Sequence, residues 1–146
     1  MNTITKFILS ILIVANCEAT KIYTVIFPTY GIAETGTGVA TLSGSPTKFE
    51  VVTGLAGIST VSFKITGTNR YLRHFGSKLR IDDFDQSDSF KAEASFLVIS
   101  RRCQIGERIQ SFSYPKKYLR FAESWIDISN IPEGYENRDY CWIIKD

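Results

Sequence analysis

Along the chain, apolar and polar residues alternate in short bursts: Val61, Phe63 and Ile65 stand against Ser62, Lys64 and Thr66, and Leu79 and Ile81 against Lys78 and Arg80. A period of two belongs to a strand with one buried face, and no stretch keeps a helical period for long. Turn formers separate the bursts. Gly36-Thr37-Gly38, Ser43-Gly44-Ser45-Pro46, Gly67-Thr68-Asn69 and Pro132-Glu133-Gly134 punctuate strands at intervals of roughly ten residues, which predicts an all-β chain.

The bursts recur as a set. Val61 to Ile65 leads to Tyr71-Leu72-Arg73-His74, then Lys78 to Asp82, and closes with Ser95-Phe96-Leu97-Val98-Ile99. The same order returns in Arg108 to Phe112, Tyr118-Leu119-Arg120-Phe121, Ser124-Trp125-Ile126-Asp127-Ile128 and Cys141-Trp142-Ile143-Ile144; Tyr71 and Tyr118 are 47 residues apart. Phe49 precedes Phe96 by 47 residues and Trp142 follows it by 46, so a degenerate first copy is expected from Ile22 through Phe27-Pro28-Thr29-Tyr30 and Val39 to Leu42. Three copies of four short strands cannot each bury an apolar face alone and must pool their inward residues around one axis. A β-trefoil does this, with repeats of about 20–57, 58–104 and 105–146. A sandwich also accommodates short alternating strands but gives no reason for the threefold repeat.

The start of the chain changes the picture next. Lys6, the apolar run Phe7 to Ala15 and Cys17-Glu18-Ala19 read as a secretory signal, residues 1–19, with the mature chain from Thr20. The run is too short to span a bilayer, so a secreted, extracellular protein is expected. The remaining 127 residues suit one domain, and 13% aromatic content argues for a packed core. Losing Lys6 and Glu18 leaves the net charge at +2, too balanced to point to nucleic acid. Two cysteines survive cleavage, Cys103 and Cys141. In an oxidising compartment they are expected to form a disulfide, the alternative being two separately buried thiols.

Ser62-Phe63, Tyr71-Leu72-Arg73-His74, Leu79-Arg80 and Phe90-Lys91-Ala92-Glu93-Ala94-Ser95-Phe96 resemble one repeat of the arabinofuranosidase-B-type arabinose-binding module of fungal α-L-arabinofuranosidases. Ile109-Gln110-Ser111, Tyr114 to Arg120 and Asp139-Tyr140-Cys141-Trp142 resemble a second; residues 20–57 fit by period alone. The resemblance implies a pocket in each repeat where the histidine of Tyr-Leu-Arg-His and a later acidic residue hold the hydroxyls of an arabinofuranose. Here those residues are His74 and Glu93, with Tyr71 or a neighbouring ring as an apolar wall. Glu93 stands where the family carries Asp, one methylene shorter. In the third repeat Asp139 and Tyr118 keep their places while Phe121 replaces histidine.

A non-catalytic, lectin-like carbohydrate-binding module follows, a monomer with a glycan partner, no cofactor and no membrane or nucleic-acid contact. A second reading is a scaffold that has lost sugar binding and meets a protein partner through exposed Phe121, Phe84 or Trp125. A third is a role in arabinan or arabinoxylan metabolism tied to arabinofuranosidase activity. Catalysis lacks a matched pair of carboxylates across a cleft or a cysteine–histidine pair. The run Asp82 to Asp88 lacks the Gly and Glu of a calcium loop and reads as a solvated acidic turn. Arg101-Arg102 and Lys116-Lys117 are expected to be hydrated, with an acidic glycan or phosphate surface as the alternative.

Overall fold

The computed structural model describes residues 19–123, 125–133 and 137–146. The expected leader up to residue 18, and Gly134 of the last turn motif, lie outside the described residues. Among those described are twelve strands: β1 Lys21–Thr24, β2 Gly31–Glu34, β3 Ala40–Ser43, β4 Phe49–Thr53, β5 Val61–Ile65, β6 Arg70–Phe75, β7 Lys78–Asp83, β8 Phe96–Ile99, β9 Arg108–Ser111, β10 Lys117–Ala122, β11 Trp125–Asn130 and β12 Trp142–Lys145. One short helix, α1, covers Asp88–Glu93, and a single 3-10 turn covers Arg138–Tyr140. The strands form a four-stranded sheet, β12-β1-β2-β3, and an eight-stranded sheet in the order β4-β5-β6-β7-β11-β10-β9-β8.

Six of these strands close into a ring. β4 pairs with β5, β5 with β8, β8 with β9, and β12 with β1, all antiparallel. Single bridges complete the circle, Glu107 to Trp142 beside β9 and Thr20 to Phe49 between β1 and β4. Closure leaves no open edge on the ring. Each ring strand turns one apolar side chain inward, Ile22, Phe49, Phe63, Phe96, Ile109 and Trp142, every one fully buried. Phe63 holds the middle, 6.4 Å from the Phe49 ring and 5.9 Å from the Phe96 ring.

The other six strands form three hairpins, β2/β3, β6/β7 and β10/β11, whose registers correspond. Ile32 faces Leu42, Leu72 faces Ile81, and Leu119 faces Ile128, and all but Leu42, which is half-buried against the same core, are fully buried. Bridges from Val39 to Arg80 and from Asp127 to Lys78 link the hairpins. The strand at Gly31–Glu34 has none of the Tyr-Leu-Arg letters of its counterparts, and its backbone position comes from pairing with β3.

The chain is all-β as expected, with one short helix between β7 and β8: Ser87 Oγ accepts the Phe90 amide at 3.1 Å and Asp88 sits in the first turn, an ordinary N-terminal cap. One expectation needs correction. The acidic run is not one solvated turn, because Asp82 lies in β7 and is held by two arginines, while Asp85 accepts from Ser87 N and Oγ to lead into the helix. The expected disulfide joins Cys103, in the β8–β9 connection, to Cys141 at the start of β12.

Candidate functional site

Adjacent residues of β6 point to opposite faces, and this alternation organises the site. On one face Tyr71 is buried under α1 among Phe84, Phe90 and Ala94, so it supports the helix rather than walling a cavity. Next on that face is Arg73. Its guanidinium lies 5.0 Å from the Phe75 ring centre and 4.8 Å from that of Phe90. Its Nε donates to Asp82 Oδ2 and its Nη1 to Glu93 Oε2, both at 2.8 Å. Arg80 Nε donates to the same Asp82 oxygen at 3.0 Å. The Arg73, Asp82 and Glu93 side chains are about a fifth exposed, at 17%, 21% and 21%, and Phe75 stands beside them at 61%. This polar rim with an open aromatic ring is the accessible part of the site.

His74 points the other way and is only 1% exposed. Its Nδ1 lies 3.0 Å from the Gly76 carbonyl oxygen, which can only accept, so Nδ1 carries the proton. Nε2 then accepts from Ser113 Oγ at 2.6 Å, with Ser111 Oγ at 3.4 Å. The ring leans on Tyr114 at 5.5 Å, and Tyr114 is half exposed. Burial pushes the His74 pKa down, and the Gly76 hydrogen bond and the Glu93 charge only partly oppose it. No hydrogen bond joins His74 to Glu93: His74 lies on the face of β6 opposite Arg73, and it is Arg73 that holds the Glu93 carboxylate.

Asp82 also titrates below its ordinary range. Burial works to raise its pKa, but hydrogen bonds from Arg80 and Arg73 outweigh it. Both groups make acid destabilising. For His74, with a folded pKa below the unfolded value of about 6.5, stability is complete above that pH and falls as pH drops toward the depressed value. For Asp82 the contribution is present above about 3.9 and is lost as pH falls through the folded value. Since His74 is the only histidine, the melting temperature is expected to decline between about pH 7 and about pH 5, and to decline less in His74→Gln. A flat profile for the unmodified protein in that window would contradict a His74 pKa lowered by burial.

The matching registers place Glu34, His74 and Phe121 at equivalent positions in the three hairpins, and each meets the next hairpin's approach. Glu34 pairs with Arg70, His74 with Ser113, and Phe121 with Phe27, edge to face at 6.0 Å. Phe121, Phe27, Tyr30 and Trp125 consequently line an aromatic groove of about 380 Å³. Asp139 lies elsewhere, in a shallow depression of about 220 Å³ with Arg120 and Tyr140. There Arg120 turns to Asp127, at 3.2 and 3.0 Å, and Asp139 forms no ion pair with a described residue. Tyr118 is half-buried with Arg108 at 6.0 Å from its ring centre. The third repeat thus divides its family positions between two surfaces. No described group of three His, Cys, Asp or Glu side chains is arranged to hold a metal ion.

Arg73 bridges two carboxylates. Sequence reasoning did not single out Phe75, Ser113 or Asp82 as parts of the site. Strand alternation places Phe75 on the Arg73 face, and that signal was available; the Ser113 contact joins residues 39 apart and had no local signal.

No curated protein sequence matches the chain. Among solved structures, an arabinofuranosidase crystallised with arabinofuranosyl-α-1,2-xylobiose is 23% identical with a TM-score of 0.77, over 88% of this chain and 30% of that one. A GH54 α-L-arabinofuranosidase mutant soaked with 4-nitrophenyl α-L-arabinofuranoside gives 23% and 0.78, over 88% and 31%. A chicken interleukin-1 mutant is 12% identical with a TM-score of 0.61, over 88% of this chain and 95% of that one. At these identities the likeness is one of fold, and this chain spans under a third of either arabinofuranosidase. The family model of the alpha-L-arabinofuranosidase B (ABFB) domain matches residues 25–144, and the chain belongs to that family.

Proposed function

We propose that the protein is a secreted β-trefoil carbohydrate-binding module without catalytic activity of its own, recognising arabinofuranose-bearing glycans at the second repeat. The six-stranded ring with three hairpins supports the trefoil reading, and the matching hairpin registers support repeats at about 20–57, 58–104 and 105–146. One observation carries the functional reading: a cluster of Arg73, Asp82 and Glu93, each about a fifth exposed, next to exposed Phe75, with neutral His74 behind the same strand. Carboxylate and guanidinium groups exchange hydrogen bonds with vicinal hydroxyls, and an open ring offers its face to the sugar's C–H groups. Substrate hydrolysis has no machinery in this cluster, since both carboxylates are committed to Arg73.

Titration calorimetry with arabinofuranosyl oligosaccharides is expected to give a Kd in the micromolar to millimolar range, about −4 to −8 kcal/mol. Glu93→Gln and Phe75→Ala are expected to weaken binding by roughly tenfold or more, with melting temperatures near the parent's. His74→Gln is expected to weaken it through repositioning of β6. Absence of binding in the folded protein, or equal affinity in Glu93→Gln, would overturn the assignment.

The aromatic groove favours a second reading. Phe27, Tyr30 and Trp125 are each about half exposed, at 53%, 48% and 46%, around half-buried Phe121. Such a cluster suits a protein contact, and a silent sugar titration alongside Trp125-dependent association would support that reading.

A further inference from the structure

Eight arginines fall into two groups by what surrounds them. Arg70, Arg73, Arg80 and Arg120 each form an ion pair. Arg101, Arg102, Arg108 and Arg138 form none with a described residue, and these four line one cavity of about 440 Å³ with the Cys103–Cys141 disulfide in its wall. No aspartate or glutamate is among the described lining residues. Four guanidiniums around one concavity, with no carboxylate among the described lining residues, raise the local potential above what a net charge of +2 suggests.

Arg108 supplies the second observation. Its Nε is buried and makes no hydrogen bond, the one such side-chain nitrogen or oxygen among the described residues. A buried donor attached to a cation is costly to leave unpaired, and an acceptor brought to Arg108 by a ligand in the cavity it lines would relieve that cost. The Arg108 guanidinium carbon sits 6.0 Å from the Tyr118 ring centre, a cation–π contact that uses the face of the group rather than its donors. The walls are fixed on both sides. Glu107 and Trp142 exchange backbone hydrogen bonds of 2.7 and 2.9 Å, and Gly106, at φ 81°, admits no side chain because a Cβ would lie 2.5 Å from the Trp142 carbonyl oxygen. Buried Asn137 adds a neutral polar group, and Ile105, 63% exposed, an apolar surface.

We infer that this cavity is a second binding site, selective for the carboxylate or sulfate group of an acidic saccharide. Planar guanidinium forks match either oxyanion in bidentate geometry, and the volume suits one or two sugar rings. The anion preference stands on the arginines alone; the saccharide part rests on the carbohydrate-binding reading above.

The test is calorimetry of the purified protein with a glucuronate-bearing oligosaccharide, a sulfated monosaccharide, inorganic sulfate and a neutral arabinofuranosyl oligosaccharide. Acidic sugars are expected to bind, and to weaken roughly tenfold or more both in the exposed-site double variant Arg102→Gln/Arg138→Gln and on raising salt from about 50 mM to about 500 mM. The neutral ligand should be unaffected by that variant. Acidic sugars that fail to bind at low salt, or bind the double variant equally well, would overturn the site. Inorganic sulfate binding as tightly as the sulfated sugar would overturn the saccharide assignment. Loss of the neutral ligand's binding alone would instead count against the proposed function.

Discussion

Replacing Trp142 by alanine is expected to destabilise the fold by about 3–5 kcal/mol, enough to unfold a marginal domain at moderate temperature. Trp142 is fully buried and closes the ring in two ways. Its backbone bonds to Glu107 and its neighbours in β12 pair with β1, so it joins the last strand to both sides of the barrel. Its indole Nε1 donates to the Leu119 carbonyl at 3.1 Å, tying the ring to the third hairpin. Truncation leaves a large cavity and an unpaired buried carbonyl together. Trp142→Phe retains most of the volume but loses the donor, and its cost is expected to be clearly smaller. Urea unfolding of the three proteins checks this; equal midpoints for alanine and parent would show that the core collapses around the gap.

The disulfide ranks next. Cys103 and Cys141 are 38 residues apart, and a crosslink of that span restricts the unfolded chain by about 4 kcal/mol on the chain-entropy scale. Cys103→Ser/Cys141→Ser is therefore expected to lose roughly 2–4 kcal/mol, read as a lower urea midpoint against the oxidised parent. Reducing the parent with dithiothreitol should give the same loss. The double variant is also expected to weaken acidic-sugar binding, because the crosslink fixes the β8–β9 connection carrying Arg101 and Arg102 against the turn carrying Arg138. Agreement between reduction and mutation would exclude an effect of the serines themselves.

The ring core was legible because its signal is both periodic and large. Phe49, Phe96 and Trp142 keep a spacing of 47 and 46 residues and all fall at the start of a ring strand with no exposure. The hairpin cores followed from Tyr-Leu-Arg alternation, and Leu72 and Leu119 are buried as the pattern requires. Strand β2 carried no such letters, and its pairing with β1 and β3 reveals it. At the site, the family resemblance pointed to His74 and Glu93 but not to how each is used. Nothing local says that Ser113, from the following repeat, occupies Nε2, or that Arg73 claims the Glu93 carboxylate. Those contacts depend on how repeats meet, and a repeat motif describes each copy alone. Phe121 shows the same limit: its substitution was visible, while the aromatic groove it creates with Phe27 and Trp125 needed three dimensions.

Closure of the ring also sets an order in time. Lys21 pairs with Lys145 and Thr24 with Trp142, so the first strand of the barrel waits for the last. Hairpins such as β6/β7 join near neighbours and form early; the circle must bring together segments more than a hundred residues apart. Loop-closure entropy makes that step slow, and a chain emerging from the ribosome holds β1 with an unpaired edge until residues 142–145 are free. During that interval Cys103 waits for Cys141, its partner in the folded protein, and the exposed edge is the surface on which a nascent chain would meet a chaperone.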